Sequence, residues 1–191
     1  QDFYLNNLEV SRNLFTSESL TSRTPIPKKF NVIALLSGLP FSLEFQNTVI
    51  SIQKSMAEII GNKLHYLVKP LNLGVEYCVF KWPDGNWQEN WMEILKNQLD
   101  VFSFKSYNLS IEGVQINKDG CVILKGYDEK MSLFNIREYM KDKISFLPAR
   151  QSNWAHIPIG RILEPIGYDS FKNLKSFVQK RSEQLFFVKR I

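Results

Sequence analysis

Trp154-Ala155-His156-Ile157-Pro158-Ile159-Gly160-Arg161-Ile162 is the stretch whose reading decides the fold. Its apolar positions, Ile157, Ile159 and Ile162, alternate with other residue types and predict a short strand. Successive side chains on a strand point to opposite faces. The alternation therefore puts His156, Pro158 and Gly160 on one face, with the isoleucines packed beneath. Trp154 precedes the histidine by two residues and Arg161 follows near the strand's end.

Upstream, Phe30 to Leu36 reads as a strand closed by a turn at Gly38-Leu39-Pro40. Phe45, Val49, Ile52, Met56 and Ile59 recur at helical spacing. Val68-Lys69-Pro70-Leu71-Asn72-Leu73 then turns the chain into Gly74-Val75-Glu76-Tyr77. Pro83-Asp84-Gly85-Asn86 is a turn by composition, expected to cap a helix carrying Trp87, Trp91, Ile94, Leu95 and Leu99. Two apolar runs, 102–116 and 121–126, flank Asn117-Lys118-Asp119-Gly120, a strong hairpin signal. Leu133, Ile136, Tyr139, Met140 and Ile144 mark another helix, stopped by Pro148. Asp169-Ser170 caps a last helix through Phe171, Leu174, Phe177 and Val178, and 185–189 reads as a closing strand.

The order strand, helix, Pro-x-Asn-Leu-type turn, motif strand, helix, strand pair, helix, motif strand resembles the 2H phosphoesterases. These include the RNA 2′,3′-cyclic phosphodiesterases and the 2′-5′ RNA ligase-like proteins. The similarity runs in order over about residues 30 to 165. It implies an α+β, two-lobed, pseudo-twofold fold, with antiparallel sheets lining a central cleft and helices outside. The division it implies is an N-terminal arm or linker over 1–29 and a single two-lobed domain over 30–191.

In that family each lobe presents a His-x-Thr/Ser-x strand to one cleft. One histidine draws a proton from water and the other protonates the leaving ribose oxygen. The hydroxyl residues donate to nonbridging phosphate oxygens, where charge builds in the transition state. Carried over residue by residue, the first histidine becomes Gly74 and the first hydroxyl becomes Glu76. The second histidine is kept as His156, and the second hydroxyl becomes Pro158. Glycine offers no proton, and proline donates from neither side chain nor backbone. Glu76 adds a negative charge where a phosphate oxygen would sit, at a cost on the order of 1 kcal/mol in water at about 4 Å. Losing one acid/base group costs about 10²–10⁴ in rate.

The resemblance therefore implies a catalytically degenerate domain that binds a nucleotide, an RNA end or a protein segment in its cleft. Gly74, Trp154, Pro158 and Arg161 are the candidate ligand contacts. Two active alternatives remain open. Glu76 could serve as general base with His156 as acid, or Leu64-His65-Tyr66-Leu67 could be the first motif, making His65 catalytic. Either would be a cyclic-nucleotide or 2′-5′ phosphodiesterase-type hydrolase. Against catalysis stands a simple pairing of Glu76 with His156 as a buried ion pair. A purely structural or partner-binding module is a further alternative.

Composition narrows the classes. The chain has 191 residues, 44% hydrophobic and 23% charged, enough for a well-cored domain. No apolar run approaches the roughly 20 residues of a membrane span, and no signal-peptide layout is visible, so a soluble cytoplasmic protein without a membrane partner is expected. The net charge of +5 suits a phosphate-bearing partner. The densest basic group, Lys172, Lys175, Lys180, Arg181, Lys189 and Arg190, reads as a solvated face or as a nucleic-acid patch. Cys78 and Cys121 are expected as buried free thiols. No Cys or His spacing suits a metal, and no cofactor is implied. Trp82, Trp87, Trp91 and Trp154 could stack on bases or pack in the core. The arm is expected to wrap onto the domain through Phe3, Tyr4, Leu8 and Phe15, or to stay mobile and offer a surface to a protein partner.

Overall fold

The computed structural model describes residues 7–38, 40–102, 106–182 and 187–190. Phe3 and Tyr4 lie outside them. The architecture is α+β, with two antiparallel sheets. Strand β1 (Ile33–Ser37) pairs with β3 (Val75–Lys81) in a two-stranded sheet. The second sheet has the order β2-β6-β5-β4-β7, built from β2 (His65–Leu67), β4 (Asn108–Ile116), β5 (Cys121–Tyr127), β6 (Ala155–Ile162) and β7 (Phe187–Arg190).

The hairpin signal is realised as β4 and β5 joined through Asn117–Gly120, with Gly120 at φ +83° and its N–H donating to Asn117 O. Only glycine adopts that conformation without steric cost. Helix α3 (Leu43–Ile60) begins at Ser42, whose hydroxyl accepts from Phe45 N. It buries Phe45, Val49, Ile52 and Met56, as the spacing predicts, and ends its buried face on Ile60, with the expected Ile59 half-buried. Helix α5 (Ser132–Lys143) buries Leu133, Ile136 and Met140. One main core joins α3, α5, α6 (Tyr168–Ser182) and the two sheets.

Several boundaries differ from the sequence reading. Helix α4 spans Trp91–Val101, so Trp87 lies outside it. The turn at Trp82–Gly85 forms, its Gly85 N–H donating to Trp82 O at 2.9 Å, but five further residues intervene before the helix starts. Asp169 and Ser170 lie inside α6 rather than capping it, because Gly167 O already accepts from Phe171 N. The strand expected from Phe30 begins at Ile33, and Phe30 and Val32 are exposed.

The segment before β1 is packed rather than loose. It contains α1 (Leu8–Arg12) and α2 (Ser17–Thr21), with Leu8 and Phe15 buried. Phe15, Leu64 and Leu163 form a second small core, and the Phe15 ring meets Tyr66 edge-on at 5.1 Å. Arg12 donates to Leu163 O at 2.8 Å, and Arg23 grips Glu164 at 2.8 Å. Leu8 and Phe15 thus pack onto the domain, as the wrapped-arm expectation had them.

Candidate functional site

Strand β3 packs against β6, and side chains at that junction explain how the two strands are joined. Leu36 of β1 pairs with Glu76, and Leu35 pairs with Cys78, which leaves Tyr77 as an inserted residue. A bulge leaves ladder groups unpaired. Here the carbonyls of Glu76 and Tyr77 both find Arg137 of α5. Its Nε donates to Tyr77 O at 2.8 Å, and its Nη2 donates to Glu76 O at 2.9 Å. The same Nη2 donates to Trp154 O at 3.0 Å, one residue before β6 begins. One guanidinium therefore fastens the strand bearing Glu76 to the strand bearing His156, a task suited to a rigid fork of donors. Further along β3, Gln151 occupies both main-chain groups of Val79, accepting from its N–H at 3.0 Å and donating to its carbonyl at 2.8 Å.

Strand β6 carries its own bulge. Ile123 of β5 pairs with Pro158 and Val122 pairs with Gly160, so Ile159 is the extra residue. Partners across a ladder share a face, so Pro158 and Gly160 stand on opposite faces. This corrects the alternation read from the sequence, which put them together. The inserted residue is also what lets Ile157 and Ile162, five positions apart, both turn inward and bury fully. The Ile159 carbonyl accepts from Val68 N at 3.0 Å and from Gln53 Nε2 at 2.8 Å, so the bulge is satisfied from β2's end and from α3.

The electrostatics at the junction are set by burial. It raises the Glu76 carboxyl above its ordinary value, against the pull of Arg137 and Arg150. It lowers the His156 imidazole below its ordinary value; the Trp154 carbonyl opposes this shift, and Arg137 adds to it. An ion pair would lower the carboxyl and raise the imidazole. Among the described residues Glu76 and His156 form no ion pair. Burial thus disfavours the charged form of each, the opposite of what a Glu76–His156 ion pair would produce. Cys78 is buried and free, with its thiol pushed up to about 11 by burial. It stays a thiol at neutral pH and is no nucleophile.

The remaining candidates divide. Gly74 is half-buried just before β3, and Pro158 is half-buried opposite Ile123. His156 opposes Lys125. Trp154 is 55% exposed beside the junction. Arg161 lies toward the other end of β6, opposite Cys121. There it donates to Ser11 Oγ at 2.7 Å and pairs with Asp119 at 3.3 Å. Its guanidinium is thus engaged in anchoring the N-terminal segment. His65 sits on edge strand β2 opposite Ile162, with Nδ1 2.8 Å from Lys63 O. Six positions of β6 separate Ile162 from His156, roughly 20 Å at about 3.3 Å per residue.

The tryptophans also divide. Trp91 stacks on Phe146 at 4.3 Å, and Trp87 meets both rings edge-on. Trp82 is covered by Arg150, whose guanidinium carbon lies 4.6 Å from the ring centroid. Of the four tryptophans, Trp154 is the one that is exposed, two residues before His156. A cavity of about 560 Å³ opens beside the junction, lined by Cys78, Arg137, Glu138, Lys141, Gln151 and Asn153 among others; Glu76, His156 and Trp154 are not part of its wall. Among the described residues no group of three or more His, Cys, Asp or Glu side chains is arranged to hold a metal ion.

Sequence reasoning missed Arg137, Arg150, Gln151 and Gln53. For Arg137 and Gln53 a signal was present. Each is a polar residue within an apolar helix stripe, Arg137 four residues after Leu133 and Gln53 four after Val49. A polar group in that position must find buried partners. No family model matches this chain, and no curated protein sequence matches it.

Proposed function

We propose that the chain is a catalytically degenerate 2H-phosphoesterase-like domain that binds a phosphate-bearing ligand, a nucleotide or an RNA end, without ordinary phosphodiesterase turnover. The observation that carries this reading is the Arg137 clamp, which brings the Glu76 segment and the His156 segment to one junction. The pseudo-twofold relation between the two lobes is part of the proposal. Positive charge supports an anionic ligand: Arg137 and Arg150 act on Glu76 at the junction and Lys125 opposes His156, while Lys141 is paired with Glu138 in the neighbouring cavity. Burial pushing Glu76 toward its neutral form lessens the repulsion a carboxylate would offer. Trp154 supplies a face for a base. The missing donors at Gly74 and Pro158 leave the transition state without its usual partners.

The test is a panel of 2′,3′-cyclic nucleotides and 2′-5′ oligonucleotides, scored for both thermal shift and product formation. The reading expects saturable shifts without product, reduced by Trp154→Ala and by Arg150→Ala. Absence of any shift overturns the binding part, and robust product formation overturns the degenerate part.

A second reading is favoured by the direction of the two titration shifts. Burial lowers the His156 imidazole and raises the Glu76 carboxyl, which moves two titratable groups at one junction toward each other in acidity, an arrangement able to support slow acid–base catalysis. Turnover lost in both Glu76→Gln and His156→Asn would select it.

A further inference from the structure

A second cavity lies between α6 and the β4–β5–β6 part of the large sheet, on the face that Ile162 turns to the helix, with a volume of about 320 Å³. That is within the roughly 300–1,000 Å³ of small-molecule sites. Its walls are apolar: Ile116 and Ile162 from the strands, Phe171 and Leu174 from the helix. The charged residues among its lining are Lys125 and Lys175, with no acidic residue beside them. Among the described residues neither lysine is in an ion pair.

We infer that this cavity binds an amphipathic monoanion, an aliphatic carboxylic acid of medium chain length, with its tail against Ile162 and Leu174 and its carboxylate toward Lys175. Apolar walls gain from covering a hydrocarbon chain. The Lys175 ammonium, in no ion pair among the described residues, selects an anionic head and disfavours a cationic one. A purely apolar ligand would leave that selectivity unused, and a highly charged nucleotide would bring polar groups against aliphatic walls at a desolvation cost. Lys175 sits four residues from Phe171 and one from Leu174, so the helix presents the ammonium at the rim of its own apolar stripe.

The experiment titrates the whole chain with decanoate below its micellar concentration, followed by calorimetry and by thermal shift, with decanol and decyltrimethylammonium as controls. The inference expects one saturable decanoate site, at least fivefold weaker binding of decanol and no saturable binding of the cation. Lys175→Glu is expected to weaken decanoate about tenfold. Val178→Trp, which fills the cavity from a half-buried position on α6, is expected to abolish binding while the far-ultraviolet circular dichroism stays unchanged. If Val178→Trp perturbs the fold, Lys175→Glu alone decides, since it replaces an exposed side chain. Non-saturating uptake, equal affinity for decanol, or decanoate binding unchanged in Lys175→Glu overturns the proposal.

Discussion

Gln53 on α3 and Arg137 on α5 do the same task at two different strand bulges. Each reaches from the inner face of a helix to carbonyls at a strand bulge, Gln53 to Ile159 and Arg137 to Glu76 and Tyr77. In both cases an inserted residue leaves main-chain groups without ladder partners, and a polar side chain, buried for Gln53 and half-buried for Arg137, supplies the missing hydrogen bonds. Each bulge sits beside a residue at the centre of the proposed chemistry: Pro158 precedes Ile159, and Glu76 precedes Tyr77.

Arg137→Met is expected to destabilise the protein by about 1.5–3 kcal/mol, the range for hydrogen bonds to a charged donor. Arg137→Lys is expected to recover little of that loss, because an ammonium on a flexible stem lacks the fork that reaches three carbonyls. Urea unfolding midpoints measure both. Full stability in Arg137→Met would show that the clamp does not hold β3 to β6.

Gln53→Leu is expected to cost about 1–3 kcal/mol, since it leaves the Val68 and Ile159 carbonyls short of a donor inside the core. Because Gln53 and Arg137 share no partner, the double variant should be additive to within about 0.5 kcal/mol. A large coupling energy would show that the two bulges are one mechanical unit.

The pH dependence of stability follows from the signs of the two shifts. Glu76, raised in the folded state from 4.5, contributes stability that is fully present below that value and lost as pH rises through the folded pKa. Glu76→Gln is therefore expected to be more stable than the parent at neutral pH and to flatten the curve above pH 4.5. His156, lowered from 6.5, contributes stability that is present above that value and lost as pH falls through the folded pKa. His156→Asn should flatten the curve below pH 6.5. An imidazole that titrates above 6.5 by nuclear magnetic resonance would mean that a carboxylate partner has been found.

Phe15→Ala is expected to cost about 3–5 kcal/mol, the usual penalty for emptying a buried aromatic site. Removal of residues 1–29 should also unfold the edge strand β2, which that segment covers. Limited proteolysis that trims 1–29 while leaving the rest at full stability would contradict this.

Much of the architecture could be read from the chain because its signals are local. The Asp119-Gly120 hairpin, the α3 stripe through Val49 and Met56, and the strand around His156 all follow from turn chemistry and periodicity. The bulges at Tyr77 and Ile159 could not be read that way, since an inserted residue is defined by its partner strand and not by its own sequence. The start of α4 was misjudged for a related reason: Trp87 fits the helical spacing of Trp91, but it packs against Trp91 and Phe146 from an irregular segment. At the site, Glu76 and His156 were legible as residues, but the sign of their electrostatics was not. The Arg137 clamp that orders their surroundings comes from a helix whose place over β3 only the fold reveals.

The central claim, binding without turnover, is tested most directly by a single-turnover assay with 2′,3′-cyclic AMP. Protein is held in excess over nucleotide at a concentration where the thermal shift shows the site occupied. The account predicts that the cyclic phosphate stays closed over hours, at a level indistinguishable from His156→Ala. Ring opening that is fast in the parent and abolished in His156→Ala would contradict it.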